Sequence, residues 1–279
     1  MAKPIIEIGK FNKLEVLKST PQGLYVGDEV EEILLPTKYI PEGTEIGSYV
    51  DVFIYTDSED RPIATTLTPN IQIGEIAYLK VNDVNNIGAF LDWGIEKDLL
   101  VPFREQGEKM VKGKGYLVYM YLDDLTDRLV GSAHVNRLLE FEDIQLEVGE
   151  EVDVLIGHEG ELGYTAIINN KYRGLIYKNQ VFKAIKPGDH SVAYIKEIRA
   201  DKKIDLTLEK TGPENIEPNA QRILDALKKG EGFLPLHDKS DPDVIKSTLG
   251  ISKKLFKKAV GALYKKRMVS IKDDGVYLK

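Results

Sequence analysis

Between Ile73 and Asn136, apolar and polar side chains alternate in short runs broken by turn residues, the period-two pattern of half-buried strands. Ile73–Val81 is the first run, and Asn85-Asn86-Ile87-Gly88 turns the chain into Ala89-Phe90-Leu91-Asp92-Trp93. A third run, Asp98–Pro102, follows another glycine-bearing turn. After a lysine-containing connector come Tyr116–Leu122 and Arg128–Ala133, joined by a polar hairpin turn. Five short strands in about 60 residues, with the connector between the third and fourth, predict a small Greek-key barrel of the OB type.

The spacing of this segment occurs three times. Leu34-Leu35-Pro36, Leu100-Val101-Pro102 and Leu175-Ile176-Tyr177 are equivalent triplets. Asp57 and Arg61 follow Pro36 by 21 and 25 residues, and Asp124 and Arg128 follow Pro102 by 22 and 26. Arg199 and Lys203 follow Tyr177 by 22 and 26. Ahead of each triplet a glycine turn enters a strand, at Gly23–Val26, Gly88–Leu91 and Gly163–Ala166. Behind it lie a long strand, a polar turn and a short strand, which in the outer segments are Ser48–Thr56 with Ile63–Leu67 and Ser191–Ile198 with Ile204–Leu208. A spacing held this often marks a repeated module. Thr68-Pro69-Asn70 and the acidic stretch Leu138–Gly149 are the joints between repeats, and Thr211–Pro218 has the composition of a domain linker.

Beyond that linker the period changes from two to about 3.6. Asn219–Lys229 places Ala220, Ile223, Leu224 and Leu227 on one helical face and stops at Gly230. Asp241-Pro242 is an N-cap with proline at the first helical position, opening a helix through Leu249 that ends at Gly250. Ser252 caps a third helix, Lys253–Arg267, with Leu255, Phe256, Ala259, Val260 and Leu263 as its apolar stripe. Met268–Lys272 and Val276–Leu278 flank the turn Asp273-Asp274-Gly275 and form a hairpin. Three helices and a hairpin are the order of a winged helix, and the second and third resemble a helix-turn-helix. The expected architecture is a mainly β multidomain chain: OB-type five-stranded barrels at 1–67, 68–148 and 149–211, then an α+β winged-helix domain at 212–279.

Composition changes this picture little and charge changes it more. The chain has 279 residues, 42% hydrophobic and 30% charged, ordinary values for a soluble globular protein. With no cysteine there is no disulfide and no cysteine-ligated metal site. His134, His158, His190 and His237 are scattered without metal-ligand spacing and read as surface or half-buried residues, so no cofactor is expected. No apolar run reaches the length of a membrane span, and no apolar signal core follows Met1, so a cytoplasmic protein without membrane contact is expected. Residues 1–150 carry 14 basic and 27 acidic side chains, whereas residues 151–279 carry 24 and 18. The chain is acidic in front and basic behind, an asymmetry hidden in its net charge of −7.

The wording of the middle repeat is more specific than its architecture. Asn86-Ile87-Gly88-Ala89-Phe90-Leu91-Asp92 followed by Leu99-Leu100-Val101-Pro102 resembles the S1 RNA-binding domain, whose second strand begins Phe-Gly-Ala-Phe-Val and whose third reads Gly-Leu-Val-His. Three such S1-like repeats followed by a winged helix resemble the conserved virulence factor B family of bacterial RNA-binding proteins. The resemblance implies single-stranded RNA as partner, a role in post-transcriptional gene regulation, and no catalysis. In S1 domains bases stack on aromatics of the second strand and its preceding turn and on a histidine ending the third strand, with an acid and a base flanking the last hairpin. Carried over by position, the first repeat keeps Tyr25, Asp57 and Arg61, and the second keeps Phe90, Asp124 and Arg128. Gln22 and Pro36, and Ile87 and Pro102, stand at the other aromatic and histidine places. The third repeat has Leu162 and Thr165 at the aromatic places with Tyr164 adjacent, Tyr177 at the histidine place, Lys203 at the basic place, and Arg199 where an acid is usual. Every repeat departs from the motif somewhere.

Further candidates come from the residues themselves. Lys171, Tyr172 and Arg173, with Tyr177, Arg199 and Lys203, mix rings and cations as a single strand requires. Lys254, Lys257, Lys258 and Lys265 cluster opposite the apolar stripe of the third helix, as phosphate-contacting residues of a recognition helix would. The plainer readings are barrel packing for Tyr25, Phe90 and Trp93, hairpin stabilisation for Arg61, Arg128 and Lys203, and a solvated face for the lysines. The acidic wing tip, Asp273-Asp274, counts against duplex DNA reading. No enzyme motif is present: Lys112-Gly113-Lys114-Gly115 lacks the spacing of a P-loop, and Asp123-Asp124 reads as a turn former. Two other functions fit the same features: a winged-helix DNA-binding regulator, and a protein-interaction scaffold on a ribosome or polymerase complex.

Overall fold

Gly23, Gly88 and Gly163 each lie against a facing strand so closely that a side chain has no room. A Cβ at these positions would stand 2.1 Å from the Leu35 carbonyl oxygen, 2.4 Å from that of Val101 and 2.0 Å from that of Ile176. In each repeat the glycine pairs with the last residue of the apolar triplet: Gly23 with Pro36, Gly88 with Pro102, Gly163 with Tyr177. Register is therefore set by a backbone approach that only glycine permits. This is why the spacing recurs.

The computed structural model describes residues 6–28, 30–181, 184–209 and 216–279, in two compact units, 1–140 and 141–279. The first repeat contains β1 (Phe11–Thr20), β2 (Gly23–Gly27), β3 (Glu32–Pro36), β4 (Tyr49–Thr56) and β5 (Pro62–Thr65), closed in the order β1-β2-β3-β5-β4. The second contains β6 (Ile76–Val84), β7 (Gly88–Asp92), β8 (Leu99–Pro102), β9 (Gly115–Asp123) and β10 (Arg128–Ser132). The third contains β11 (Glu151–Glu159), β12 (Gly163–Ile168), β13 (Tyr172–Tyr177), β14 (His190–Ile198) and β15 (Ile204–Thr207), closed in the same order as the first. The opening strand carries a register shift in every repeat, between Val16 and Lys18, Val81 and Asp83, and Ile156 and Glu159. Such a bulge bends the strand so that it can pair on both sides of a small barrel.

The second repeat corrects one expectation. It is a five-stranded sheet in the order β10-β9-β6-β7-β8, without a ladder between β8 and β10. Side chains meet where hydrogen bonds do not: a Cβ on Gly131 would lie 2.8 Å from Val101 Cγ2 and 3.1 Å from Leu99 Cδ2. Hence the segment with the clearest motif is the one whose sheet is not closed.

The first repeat, whose own core lies around Val16, Leu35 and Val52, also contributes to the core of the second. Phe53 and Tyr55 of β4 are buried with Trp93, Leu91, Leu99, Val101 and Met120 of the second repeat. Trp93 is 2% exposed and meets both rings edge-on, with centroids 5.7 Å from Phe53 and 6.4 Å from Tyr55. Lys97 Nζ donates to the carbonyl oxygens of Thr56 and Asp57, and Arg128 is ion-paired with Asp60. Trp93 thus belongs to a shared interior and offers no face to a ligand.

In the second unit, Ile144 and Leu146 of the acidic joint pack on the core of the third barrel. The winged-helix part follows as α1 (Ile216–Lys229), β16 (Phe233–Leu234), α2 (Pro242–Leu249), α3 (Lys253–Lys265), β17 (Val269–Lys272) and β18 (Gly275–Leu278). α1 starts inside the stretch read as linker, whose residues 211–215 lie outside the described ones. Asp241 caps α2 by accepting from Asp243 N at 2.8 Å, Gly250 ends it in the left-handed region at φ 66°, and Ser252 caps α3. The short β16 pairs with β18, Phe233 opposite Tyr277, and was too brief to leave a pattern in the sequence. Phe256, Ala259, Val260 and Leu263 turn inward against Ile223, Leu227 and Ile245. Among the described residues no helix is long and apolar enough to cross a membrane.

Candidate nucleic-acid interface

Strands β2 and β3 and the β4–β5 turn enclose a groove of about 440 Å3 on the first barrel, lined by Tyr25, Glu31, Glu32, Leu34, Asp57 and Arg61, among others. The sequence-predicted Tyr25, Asp57 and Arg61 therefore do come together. Tyr25 is half-buried, with Lys18 Nζ 4.7 Å from its ring centroid and Lys18 itself ion-paired with Glu32. Arg61 is occupied by its own turn, donating from Nε and Nη2 to Asp57 Oδ2 at 2.9 and 2.7 Å. It also pairs with Glu59 at 2.9 Å. Burial alone would push the Asp57 carboxyl up, but hydrogen bonds from Arg61 and from the Glu59 amide outweigh it and hold the group below its ordinary value. The groove presents three acids and one base.

The equivalent groove on the third barrel, about 500 Å3, is lined by Phe141, Glu142, Thr165, Arg173, Leu175, Asp201, Lys202 and Lys203, among others. Pairing register makes the correspondence exact in position: Tyr25 faces Leu34 as Thr165 faces Leu175, and Lys203 closes the last hairpin where Arg61 does. Here three bases face two acids. Lys203 pairs with Asp201 at 2.8 Å, and the hydrogen bond from Lys203 holds Asp201 below its ordinary value. Both partners are more than half exposed, so a phosphate can replace the carboxylate at little cost. Phe141 and Lys202 were not identified from the sequence. Phe141 lies in an acidic joint, where nothing in the composition marks it as a barrel residue.

Beside this groove, Arg199 is turned to structural work. Its guanidinium donates to buried Asp205 at 3.1 and 2.8 Å and to the Tyr177 hydroxyl, and the bond to Asp205 raises its already high pKa. Tyr177 remains half-buried with Lys196 Nζ 5.9 Å from its ring centroid. Tyr164 is half-buried beside Glu159, and Lys171 is exposed with its ammonium 5.0 Å from the Tyr172 ring centroid. Tyr172 corrects an expectation: it is 3% exposed and belongs to the barrel core, its hydroxyl accepting from Gln145 N. It cannot stack on a base.

In the second repeat Phe90 is half-buried opposite Leu100. The hairpin acid is Asp123, not Asp124. Asp123 is buried, accepts from the amides of Leu125 and Thr126 at 3.0 and 3.1 Å, and pairs with Arg104 at 2.7 Å. These amide hydrogen bonds, helped by Arg104, hold it below its ordinary value against the cost of burial. Asp124 is exposed at the turn. The β9–β10 turn holds one residue more than the β4–β5 turn, so Asp123, 21 residues after Pro102, matches Asp57, and Asp124 lies within the turn. Arg128 is drawn to Asp60, and that bond raises its pKa.

On α3, Lys254, Lys257, Lys258 and Lys265 are all exposed on one face, with Tyr264 among them at 54% exposure. Among the described residues none of the four is in an ion pair. The wing carries Asp273 and Asp274 at its tip, with the Tyr277 hydroxyl donating to Asp274 at 2.6 Å. No group of side chains among the described residues could hold a metal ion.

The S1 domain family matches residues 8–67 and 73–134, and the family described as CvfB-like winged helix domain matches residues 221–278. OB-type repeats in series with a winged helix define a class of nucleic-acid-binding proteins. Within that class the chain is similar to the conserved virulence factor B family, with S1 domains and a CvfB-like winged helix domain. It is 25% identical to conserved virulence factor B of Staphylococcus epidermidis over 84% of this chain and 81% of that protein. It is 27% identical to Bacillus subtilis YitL over 95% and 92%. A crystal structure of a multidomain protein with nucleic acid binding domains from Streptococcus pneumoniae covers 98% of both chains at 24% identity, with a TM-score of 0.45.

Proposed function

We propose that the chain is a cytoplasmic, non-enzymatic protein that binds single-stranded RNA and acts in post-transcriptional gene regulation. The observation that carries this reading is the opposite lining of two equivalent grooves: acids outnumber bases on the first barrel, and bases outnumber acids on the third. Phosphate neutralisation dominates affinity for nucleic acid and needs cations that neighbouring acids do not cancel. The lysine face of α3 meets that need, and in the third-barrel groove Arg173 stands beside Lys202 and Lys203, whose paired acids are exposed enough for phosphate to displace; both lie in residues 141–279. Half-buried rings at Tyr25, Phe90, Tyr164 and Tyr177 supply stacking surface for unpaired bases. The first two repeats then select or position the strand.

The acidic wing supports a single strand over duplex DNA, because a wing approaching a duplex meets its phosphates. The test titrates the whole chain with matched single-stranded RNA, single-stranded DNA and duplex DNA at one salt concentration, then fragments 1–140 and 141–279 across a salt series. Single-stranded RNA binds tightest, and fragment 141–279 retains most of the affinity with the steeper salt dependence. Tighter duplex binding makes the chain a DNA-binding regulator, and no binding to any of the three makes it a scaffold for ribosome or polymerase components.

A further inference from the structure

The third barrel has lost the aromatic that its groove should carry. Position 165, equivalent to Tyr25 and Phe90, is a threonine, and its hydroxyl donates to the His158 carbonyl oxygen instead of presenting a ring. Yet this is the groove with the favourable charge. A ring does reach it from elsewhere: Phe141, from the segment that precedes the barrel, lines the same groove with Thr165, Arg173, Leu175 and Lys203. Phe141 is 43% exposed, so its ring is held at the groove without being consumed by the core.

The segment is fixed in place immediately after Phe141. Lys202, in the β14–β15 turn, donates to the Glu142 carbonyl oxygen at 3.1 Å and pairs with the Glu142 carboxylate. Downstream, Gln145 N donates to the Tyr172 hydroxyl, and Ile144 and Leu146 pack on the barrel core. Phe141 keeps 43% of its surface open in an otherwise acidic joint. Over a cationic groove it offers a π-face to an unpaired base while Arg173 and Lys203 take the adjoining phosphates.

We infer that Phe141 is the base-stacking residue of the third-barrel groove, supplied by the preceding segment in place of the missing strand aromatic, and that its ligand is a base of single-stranded RNA. The inference rests on the RNA-binding reading above and narrows it to one ring. The test uses the whole chain and an oligouridylate. Phe141→Ala lowers affinity by about fivefold or more, the loss expected for one stacked base, and leaves the melting temperature in place. Phe141→Tyr binds as the unaltered chain does. Thr165→Phe added to Phe141→Ala restores affinity, because it returns a ring to the same groove from β12.

Unchanged affinity in Phe141→Ala, together with a loss in Arg173→Ala or Lys203→Ala, overturns the stacking role while keeping the groove as the RNA site. Equal losses in Phe141→Ala and Phe141→Tyr, or no rescue by Thr165→Phe, also overturn it. If the unaltered chain does not bind the oligouridylate, it is the RNA-binding reading that fails.

Discussion

Trp93 of the second repeat stands edge-on to Phe53 of the first, their ring centroids 5.7 Å apart at an interplanar angle of 77°. The first repeat keeps a barrel core of its own around Val16, Leu35 and Val52, and its Phe53 and Tyr55 extend the core of the second. Trp93→Ala should destabilise residues 1–140 by about 3–5 kcal/mol, the range for truncating a large buried aromatic. In the unaltered chain, fluorescence of this single tryptophan and the far-ultraviolet signal of fragment 1–140 should report one coincident transition. Two separated transitions would show that the shared core does not couple the repeats.

Asp123 and Asp124 are adjacent in sequence and unequal in role. Asp123→Ala strips the acceptor from two turn amides and from Arg104, and should cost roughly 1–3 kcal/mol. Asp124→Ala should stay within about 0.5 kcal/mol, as exposed substitutions do. Thermal melts of the two variants decide between them, and a reversed order would restore Asp124 as the hairpin acid.

Phe90 is half-buried, which leaves part of its ring for a base. Phe90→Ala should weaken binding of single-stranded RNA by about 1 kcal/mol, near the lower end for a stacked base. The melting temperature should hold. A large drop in it would assign the ring to packing.

Acid should loosen the first unit. Asp57, Asp60 and Asp123 are all held below the ordinary carboxylate value in the folded chain. A depressed folded pKa contributes stability that is present above the unfolded value, near pH 4, and is lost as pH falls through the folded value. The melting temperature of fragment 1–140 should therefore fall below about pH 4. Asp57→Asn with Asp123→Asn should lower the neutral-pH melting temperature and flatten the acid limb. An unchanged acid limb would locate the titrating groups elsewhere.

What the sequence makes legible follows from what is local in it. The glycine-to-triplet spacing is visible three times because a backbone approach at Gly23, Gly88 and Gly163 tolerates no alternative residue. The caps at Asp241 and Ser252 are legible for a similar reason, since each satisfies amides two or three residues away. Tyr172 was misjudged because alternation shows that a side chain faces inward or outward but not which, and its neighbours Lys171 and Arg173 suggested a surface. Asp124 was preferred to Asp123 because a one-residue difference in turn length is invisible until strands are paired. Arg61, Arg128 and Lys203 share a position but find different carboxylates, Asp57, Asp60 and Asp201, so recurrence alone could not assign them one role. Phe141 is not legible in the sequence because nothing in the composition of a joint marks it, whereas its placement depends on Lys202 holding Glu142 from sixty residues further on.

The hairpins that begin at Gly23 and Gly163 are pinned at the same two points, the glycine and the residue that faces it across the strands. Between those points the inward-facing residues are held by the barrel core, and the outward-facing ones are at liberty to change. In evolutionary terms the hairpin behaves as a cassette: Glu32 in one copy and Arg173 in the other occupy one station, and that exchange alone shifts the charge of the groove by two without renegotiating the barrel around it.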